Sequence, residues 1–177
     1  MSKLIGPFKE VLTFAKTPQK GALEDDQADV IQNGGVLVEN EKILEVGGFD
    51  QLKTKTSEVE EVNGDHILLP GFVDCHTHLV WGGTRARDYT LRMSGESYEK
   101  ILEQGGGIFD SVEKTRKASS EELRSGLIKR ANRHLHDGVT TIEVKSGYGL
   151  DVENELKVLG VVKSAMADIE ADLIPTC

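Results

Sequence analysis

Hydrophobic and polar positions fall into two regimes that meet near residue 66. In the first, short apolar runs alternate with turn residues. Gly34-Gly35 introduces Val36-Leu37-Val38, Glu39-Asn40-Glu41-Lys42 reverses the chain, and Ile43-Leu44-Glu45-Val46 returns before Gly47-Gly48. Two β-rich runs around such a turn predict a β-hairpin. A further strand is expected over Val11 to Phe14, followed by a polar stretch punctuated by proline and glycine up to Asn33. Residues 1-66 therefore read as a small all-β unit.

From Ile67 the pattern becomes apolar strand, loop, long helical segment, apolar strand, the alternation of an α/β protein with a parallel sheet. Its first strand is expected at Ile67-Leu68-Leu69, resuming after Pro70-Gly71 as Phe72-Val73-Asp74 and running into His76 and His78. Tyr98, Ile101 and Leu102 share one face of a short helix over Ser97 to Gln104, which Gly105 stops. A longer helix is expected from Ser119 or Ser120 to His136. Ser119 and Glu122 form a capping box, Leu123, Leu127, Ile128 and Leu135 make its apolar stripe, and Gly138 ends it. Val139 to Val144 reads as the second strand. Val152 to Ala167 reads as the next helix, with Leu156, Val158, Leu159 and Val162 inward, and Leu173 to Thr176 opens a third strand. At roughly 30 residues per βα unit, the residues after His66 suffice for about three units. A closed eight-unit barrel takes about 250 residues, so a barrel here is less than half complete.

Composition narrows the class. The 177 residues suffice for a core of ordinary size and one domain or slightly more. No apolar run approaches the ~20 residues that cross a bilayer. Acidic residues outnumber basic ones, 30 to 21, for a formal charge of -9, which argues against a surface for nucleic acid or anionic membrane. Met1 to Pro7 holds no sustained apolar segment of a secretory signal, and Cys75 and Cys177 do not suggest a disulfide framework. Both features fit a reducing cytoplasm.

His76-Thr77-His78 is the sharpest chemical signal, because side chains at i and i+2 of a strand share a face. Two convergent imidazoles suit a first-row metal such as zinc or iron. Two ordinary histidines near a strand end are the competing reading of an isolated pair, and their place at the end of the first α/β strand favours the metal. Asp74 has the same parity and is placed to orient a ligand. Cys75 has the opposite parity and reads as a packed thiol. Glu143 and Lys145 share parity and are expected to form an ion pair. Gly105-Gly106-Gly107 lacks the lysine of a phosphate loop and reads as a helix stop and active-site loop. His134 and His136 read as surface or packing residues.

The run Leu69-Pro70-Gly71-Phe72-Val73-Asp74-Cys75-His76-Thr77-His78 resembles the metal-binding signature of the amidohydrolase superfamily, in which a small β-sandwich precedes a metal-centred (β/α)8 barrel. Further along the chain stand Gly82-Gly83-Thr84-Arg85, Tyr89, Leu91-Arg92, Gly95, Ser97-Tyr98, Gly105 to Ile108, and Glu143-Val144-Lys145-Ser146-Gly147-Tyr148-Gly149-Leu150. That combination is similar to the imidazolonepropionase family of histidine degradation. The similarity runs from about Gly34 to Cys177, weakly before residue 67 and specifically after it. It implies an α/β fold class: a small N-terminal β-sandwich portion over 1-66, then the first three or so βα units of a metal-dependent (β/α)8 TIM barrel over 67-177, incomplete in this chain.

The same resemblance implies metal-dependent hydrolysis of the cyclic amide C-N bond of 4-imidazolone-5-propanoate, giving N-formimidoyl-L-glutamate. It implies one divalent or trivalent metal ion, zinc or iron, with the first two ligands on His76 and His78, and substrate contacts on Arg85 and Tyr148. A planar guanidinium at Arg85 suits a bidentate grip on the propanoate, and Tyr148 offers a flat ring and a hydroxyl to a small heterocycle. The remaining ligands and the acid/base groups are expected beyond Cys177, so the 177-residue chain alone is expected to be inactive and prone to aggregation. A cytoplasmic homodimer is implied for the full length. Two alternatives stand beside this reading: another amidohydrolase, such as a guanine-type deaminase or cyclic-ureide hydrolase, and a non-catalytic binding or assembly subunit if the natural chain ends at residue 177.

Overall fold

Turn chemistry shapes the first seventy residues. Strand β2 (Val30–Glu39) returns as β3 (Lys42–Gly48) through Asn40 and Glu41, whose φ angles of 49° and 63° are both left-handed. A two-residue hairpin needs positive φ at both positions so that its twist matches the strands. The hairpin therefore forms where the sequence predicts it. Strand β1 (Lys3–Leu12) starts at Lys3 and not at Val11, and it pairs antiparallel with β2. Gly6-Pro7 hides this strand in the sequence, because proline cannot donate to a ladder. The register accordingly shifts between Ile5 and Phe8.

The computed structural model describes residues 1–18 and 20–177, in two compact units, Met1–Pro70 and Gly71–Cys177. In the first unit, β2 lies between β3 and β1, and β1 also pairs in parallel with β4 (Glu58–Glu61) and β5 (Ile67–Leu68). Ile67 and Leu68 thus do not open the second sheet, as their apolar run suggested, but sit opposite Glu10 and Val11. Helix α1 (Phe49–Lys53) is one short turn that periodicity does not reveal. It brings Phe49 and Leu52 against Leu4 and Leu37 to make the core of this unit.

In the second unit, β6 (Phe72–Thr77), β7 (Val139–Lys145) and β8 (Asp172–Thr176) form a parallel sheet in the order β6-β7-β8. Between β6 and β7 run α2 (Ala86–Met93), α3 (Tyr98–Glu103), α4 (Ile108–Lys117) and α5 (Ser120–His136), and α6 (Val152–Ala165) joins β7 to β8. Leu123, Leu127 and Ala131 of α5, Ile142 and Val144 of β7, and Val158, Val161, Val162 and Ala165 of α6 make one core. Leu156 was expected inward but is 62% exposed. The buried row is 158, 161, 162, 165, one helical face, and Leu156 lies off it.

Helices α2 and α4 carry little signal in the sequence because their inward faces hold few apolar residues: α2 buries none, and α4 buries Ser111, Val112 and Thr115. The Gly105-Gly107 triplet stops α3 and then starts α4, with Gly107 as N-cap at φ 77°. It is a helix-helix link rather than a free loop. Helix α5 begins as its capping box predicts: the Ser119 hydroxyl accepts from the Glu122 N–H at 3.2 Å, and the Glu122 carboxylate accepts from the Ser119 N–H at 2.8 Å. Ser119→Ala is expected to cost about 1 kcal/mol. Urea unfolding of the full-length protein checks this, and an unchanged midpoint and slope would rule out a stabilising cap. No helix among the described residues is long and apolar enough to cross a membrane.

Candidate functional site

Parallel strands end on the same side of a sheet, so the loop after β6 and the loop after β7 are neighbours. His76 lies near the end of β6 and His78 just past it, with ring centroids 6.0 Å apart and planes at 85°. The His78 Nδ1 stands 3.0 Å from the carbonyl oxygen of Lys145, the last residue of β7. A carbonyl only accepts, so this bond places the proton on Nδ1 and leaves Nε2 a free lone pair. Gly147 permits the close approach of the next loop: its φ is 140°, and a Cβ there would come within 2.9 Å of the His78 ring.

Strand alternation misplaces two neighbours of the pair. The register with β7 shifts between Asp74 and Thr77, which breaks the two-residue period. Asp74 turns away from the rings: its Oδ1 accepts the His76 backbone N–H at 3.1 Å, and its Oδ2 lies 3.6 Å from His134 Nδ1 on α5. His134 thus has an acidic neighbour that its position in the sequence does not disclose. Cys75 is exposed rather than packed. Glu143 accepts from the Thr176 hydroxyl at 2.8 Å, and the Glu143–Lys145 ion pair does not form.

Tyr148 lies just past β7 and packs its ring 5.0 Å from that of His78, tilted by 49°. Its hydroxyl lies 3.5 Å from the Arg85 guanidinium, which arrives from the loop after β6. His76, His78, Tyr148 and Arg85 therefore form one continuous row. Arg85 and Tyr148 also line a cavity of about 200 Å³ with Trp81, Gly82, Thr84 and Ser111. A shallower cavity of about 460 Å³ on the other side of Arg85 is lined by Asp88, Tyr89, Arg92, Tyr98 and Ile101. The polar members of this lining are residues that sequence patterning does not group together. Arg85, Asp88, Tyr89 and Arg92 have helical spacing, a signal visible only once α2 is recognised as a helix.

The loop bearing Arg85 is fixed from two sides. Arg130 of α5 donates from Nε to the Leu79 carbonyl at 2.7 Å and from Nη2 to the Trp81 carbonyl at 3.3 Å, and its guanidinium stacks 4.0 Å from the Trp81 ring. Burial pushes this guanidinium down from its ordinary pKa, and the two carbonyls and the ring face replace the lost water. From α4, the Thr115 hydroxyl accepts the Gly82 N–H at 3.0 Å. A Cβ on Gly82 would stand 2.6 Å from the Lys114 carbonyl, so glycine is required at this approach.

For a metal ion, the row supplies two imidazole nitrogens, and among the described residues no group of three or more His, Cys, Asp or Glu stands together as a ligand set. The donor chemistry of His78, with Nδ1 protonated and Nε2 free, suits a metal ligand.

No family model matches the chain. An imidazolonepropionase of Idiomarina loihiensis is 47% identical to it over 154 residues, 86% of this chain. In sequence, this chain matches the imidazolonepropionases. A second member, from Clostridium tetani, is 42% identical over 176 residues, 98% of the chain. The chain spans about two fifths of the length of these imidazolonepropionases, 38% and 42% respectively. In fold it is similar to a variant of atrazine chlorohydrolase from Arthrobacter aurescens solved with zinc and atraton, with a TM-score of 0.68 and 21% identity over 99% of this chain and 35% of that one. The two chains thus share a mixed α/β architecture.

Proposed function

We propose that this chain is the N-terminal part of a metal-dependent imidazolonepropionase that hydrolyses the cyclic amide C-N bond of 4-imidazolone-5-propanoate, giving N-formimidoyl-L-glutamate. Residues 71–177 are then the opening of a (β/α)8 barrel, and Met1–Pro70 is the β-sandwich portion that precedes it. The observation that carries the reading is the continuous row of His76, His78, Tyr148 and Arg85 at the ends of parallel strands, where barrel enzymes keep their active sites. The sequence similarity to imidazolonepropionases supports the substrate.

Each member of the row has a task that its chemistry fits. His76 and His78 hold the metal, zinc or iron, with His78 using the Nε2 lone pair that the Lys145 carbonyl leaves free. When bound, such an ion acidifies a water molecule and polarises a carbonyl oxygen. Arg85 takes the propanoate through its two terminal nitrogens, and the Arg130 and Thr115 contacts hold its loop in place for that grip. Tyr148 packs its ring along the substrate heterocycle beside His78, with its hydroxyl close to the Arg85 guanidinium.

Steady-state hydrolysis by the full-length enzyme, of which this chain is the N-terminal part, tests the proposal. With 4-imidazolone-5-propanoate, R85A is expected to raise KM by roughly 10- to 100-fold, the worth of a charge-assisted contact, with kcat little changed. Unchanged kinetics in R85A would remove Arg85 from the carboxylate contact. No turnover of this substrate by the metal-loaded full-length enzyme would overturn the proposed activity.

A further inference from the structure

The loop that presents Tyr148 has unusual backbone, and a carboxylate bonds two of its N–H groups. Leu150 has φ 57°, left-handed for a side chain that rarely adopts it, and Gly147 has φ 140°. Such a loop keeps its form only where its surroundings hold it. Glu155, in the first turn of α6, reaches back to do so: its Oε1 accepts from the Gly149 N–H at 2.9 Å and the Leu150 N–H at 2.8 Å. Its Oε2 is buried and has no hydrogen-bond partner. Burial pushes this carboxyl up, but the donors of the loop it faces, the Leu150 and Gly149 N–H groups that bond Oε1 and the nearby Ser146 hydroxyl and Gly147 N–H, outweigh it and hold the group below its usual range. Glu155 is therefore an anion at neutral pH, facing consecutive backbone donors.

The geometry leaves Glu155 free for this task. Asp151, not Glu155, caps α6 by accepting from the Asn154 N–H at 2.8 Å. The loop and the helix approach so closely that a Cβ on Gly149 would stand 2.6 Å from the Glu155 nitrogen. From the opposite side, Arg116 of α4 donates to the Gly149 carbonyl at 2.7 Å and pairs with Asp151 at 2.9 Å.

We propose that Glu155 is a positioning residue for Tyr148: it fixes the backbone from Ser146 to Leu150 so that the Tyr148 ring stays against His78 and the hydroxyl stays near Arg85. This rests on the reading of Tyr148 as a substrate contact. Glu155 touches none of the row directly, so its effect on catalysis passes through Tyr148. A carboxylate that served only the dipole of α6 would affect stability and leave kinetics alone.

A double-mutant cycle in the full-length enzyme separates these cases. E155A is expected to lower kcat/KM for 4-imidazolone-5-propanoate about tenfold, the worth of a charge-assisted hydrogen bond. E155Q keeps one acceptor oxygen for the Gly149 and Leu150 donors but sets an amide NH₂ in place of Oε2, and a loss of about threefold is expected. In a Y148A background both losses are expected to vanish to within about twofold, because the residue being positioned is gone. If E155A does not fold, E155Q carries the cycle alone. Losses that persist in full in the Y148A background, or wild-type kinetics in both Glu155 variants, overturn the inference and leave the proposed function standing. Wild-type kinetics in Y148A itself overturn the reading of Tyr148, and the inference with it.

Discussion

Replacing His76 and His78 together by alanine is expected to leave the full-length enzyme with less than about one hundredth of its metal affinity. The reason lies in the donor set. These are the two imidazoles that the end of β6 places beside each other, and the tautomer of His78 is set by the Lys145 carbonyl. Loss of a group that merely orients a ligand typically costs 10–100-fold in metal affinity, and loss of two ligands costs more. Metal content after dialysis, together with zinc titration of the metal-free full-length enzyme, measures the effect. Bound metal retained at the wild-type ratio in the double variant would remove both histidines from the ligand set.

Leu127→Ala is expected to destabilise the second unit by about 3 kcal/mol. Leu127 is fully buried on the face of α5 within the core that includes Ile142, Val144 and Val158. Truncation there removes apolar contact and leaves a cavity that packed neighbours fill only partly, which places Leu→Ala changes at about 2–5 kcal/mol. That is a large share of the roughly 5–15 kcal/mol that holds a typical domain together. Trp81 is the only tryptophan in the chain and stacks on Arg130, also on α5. Its fluorescence during urea unfolding of the full-length enzyme, with any tryptophan beyond residue 177 replaced by phenylalanine, therefore reports this unit. A loss below about 1 kcal/mol would mean that the site collapses around the smaller side chain and that the core is not close-packed there.

The capping box at Ser119 and Glu122, the apolar stripe of α5 and the β2–β3 turn were legible because each signal is local. Capping uses residues three apart, and a hairpin turn fixes its own backbone. Helix α2 was not legible, since it buries no residue and so carries no apolar stripe to read. Gly6-Pro7 hides the first half of β1, and β5 joins the first sheet rather than the second because a short apolar run does not name its partner strand. At the candidate site, residue types were readable and pairings were not. Asp74 was expected beside the histidine rings, yet a register shift turns it toward His134, a residue sixty positions away in the chain.

By itself, the sequence determined the chemistry available to this protein: two histidines two apart at a strand end, an arginine in the loop after them, a tyrosine in a glycine-flanked loop, and the resemblance those residues carry. These are properties of spacing and side-chain type, which survive without coordinates. Only the tertiary structure decided that the loops after β6 and β7 meet, that His78 presents Nε2, and that a carboxylate on α6 holds the backbone beneath Tyr148. Parallel pairing brings together residues about seventy positions apart, where bonds depend on register and packing that no local pattern encodes, and even the short reach of Glu155 back to Gly149 depends on the left-handed turn at Leu150.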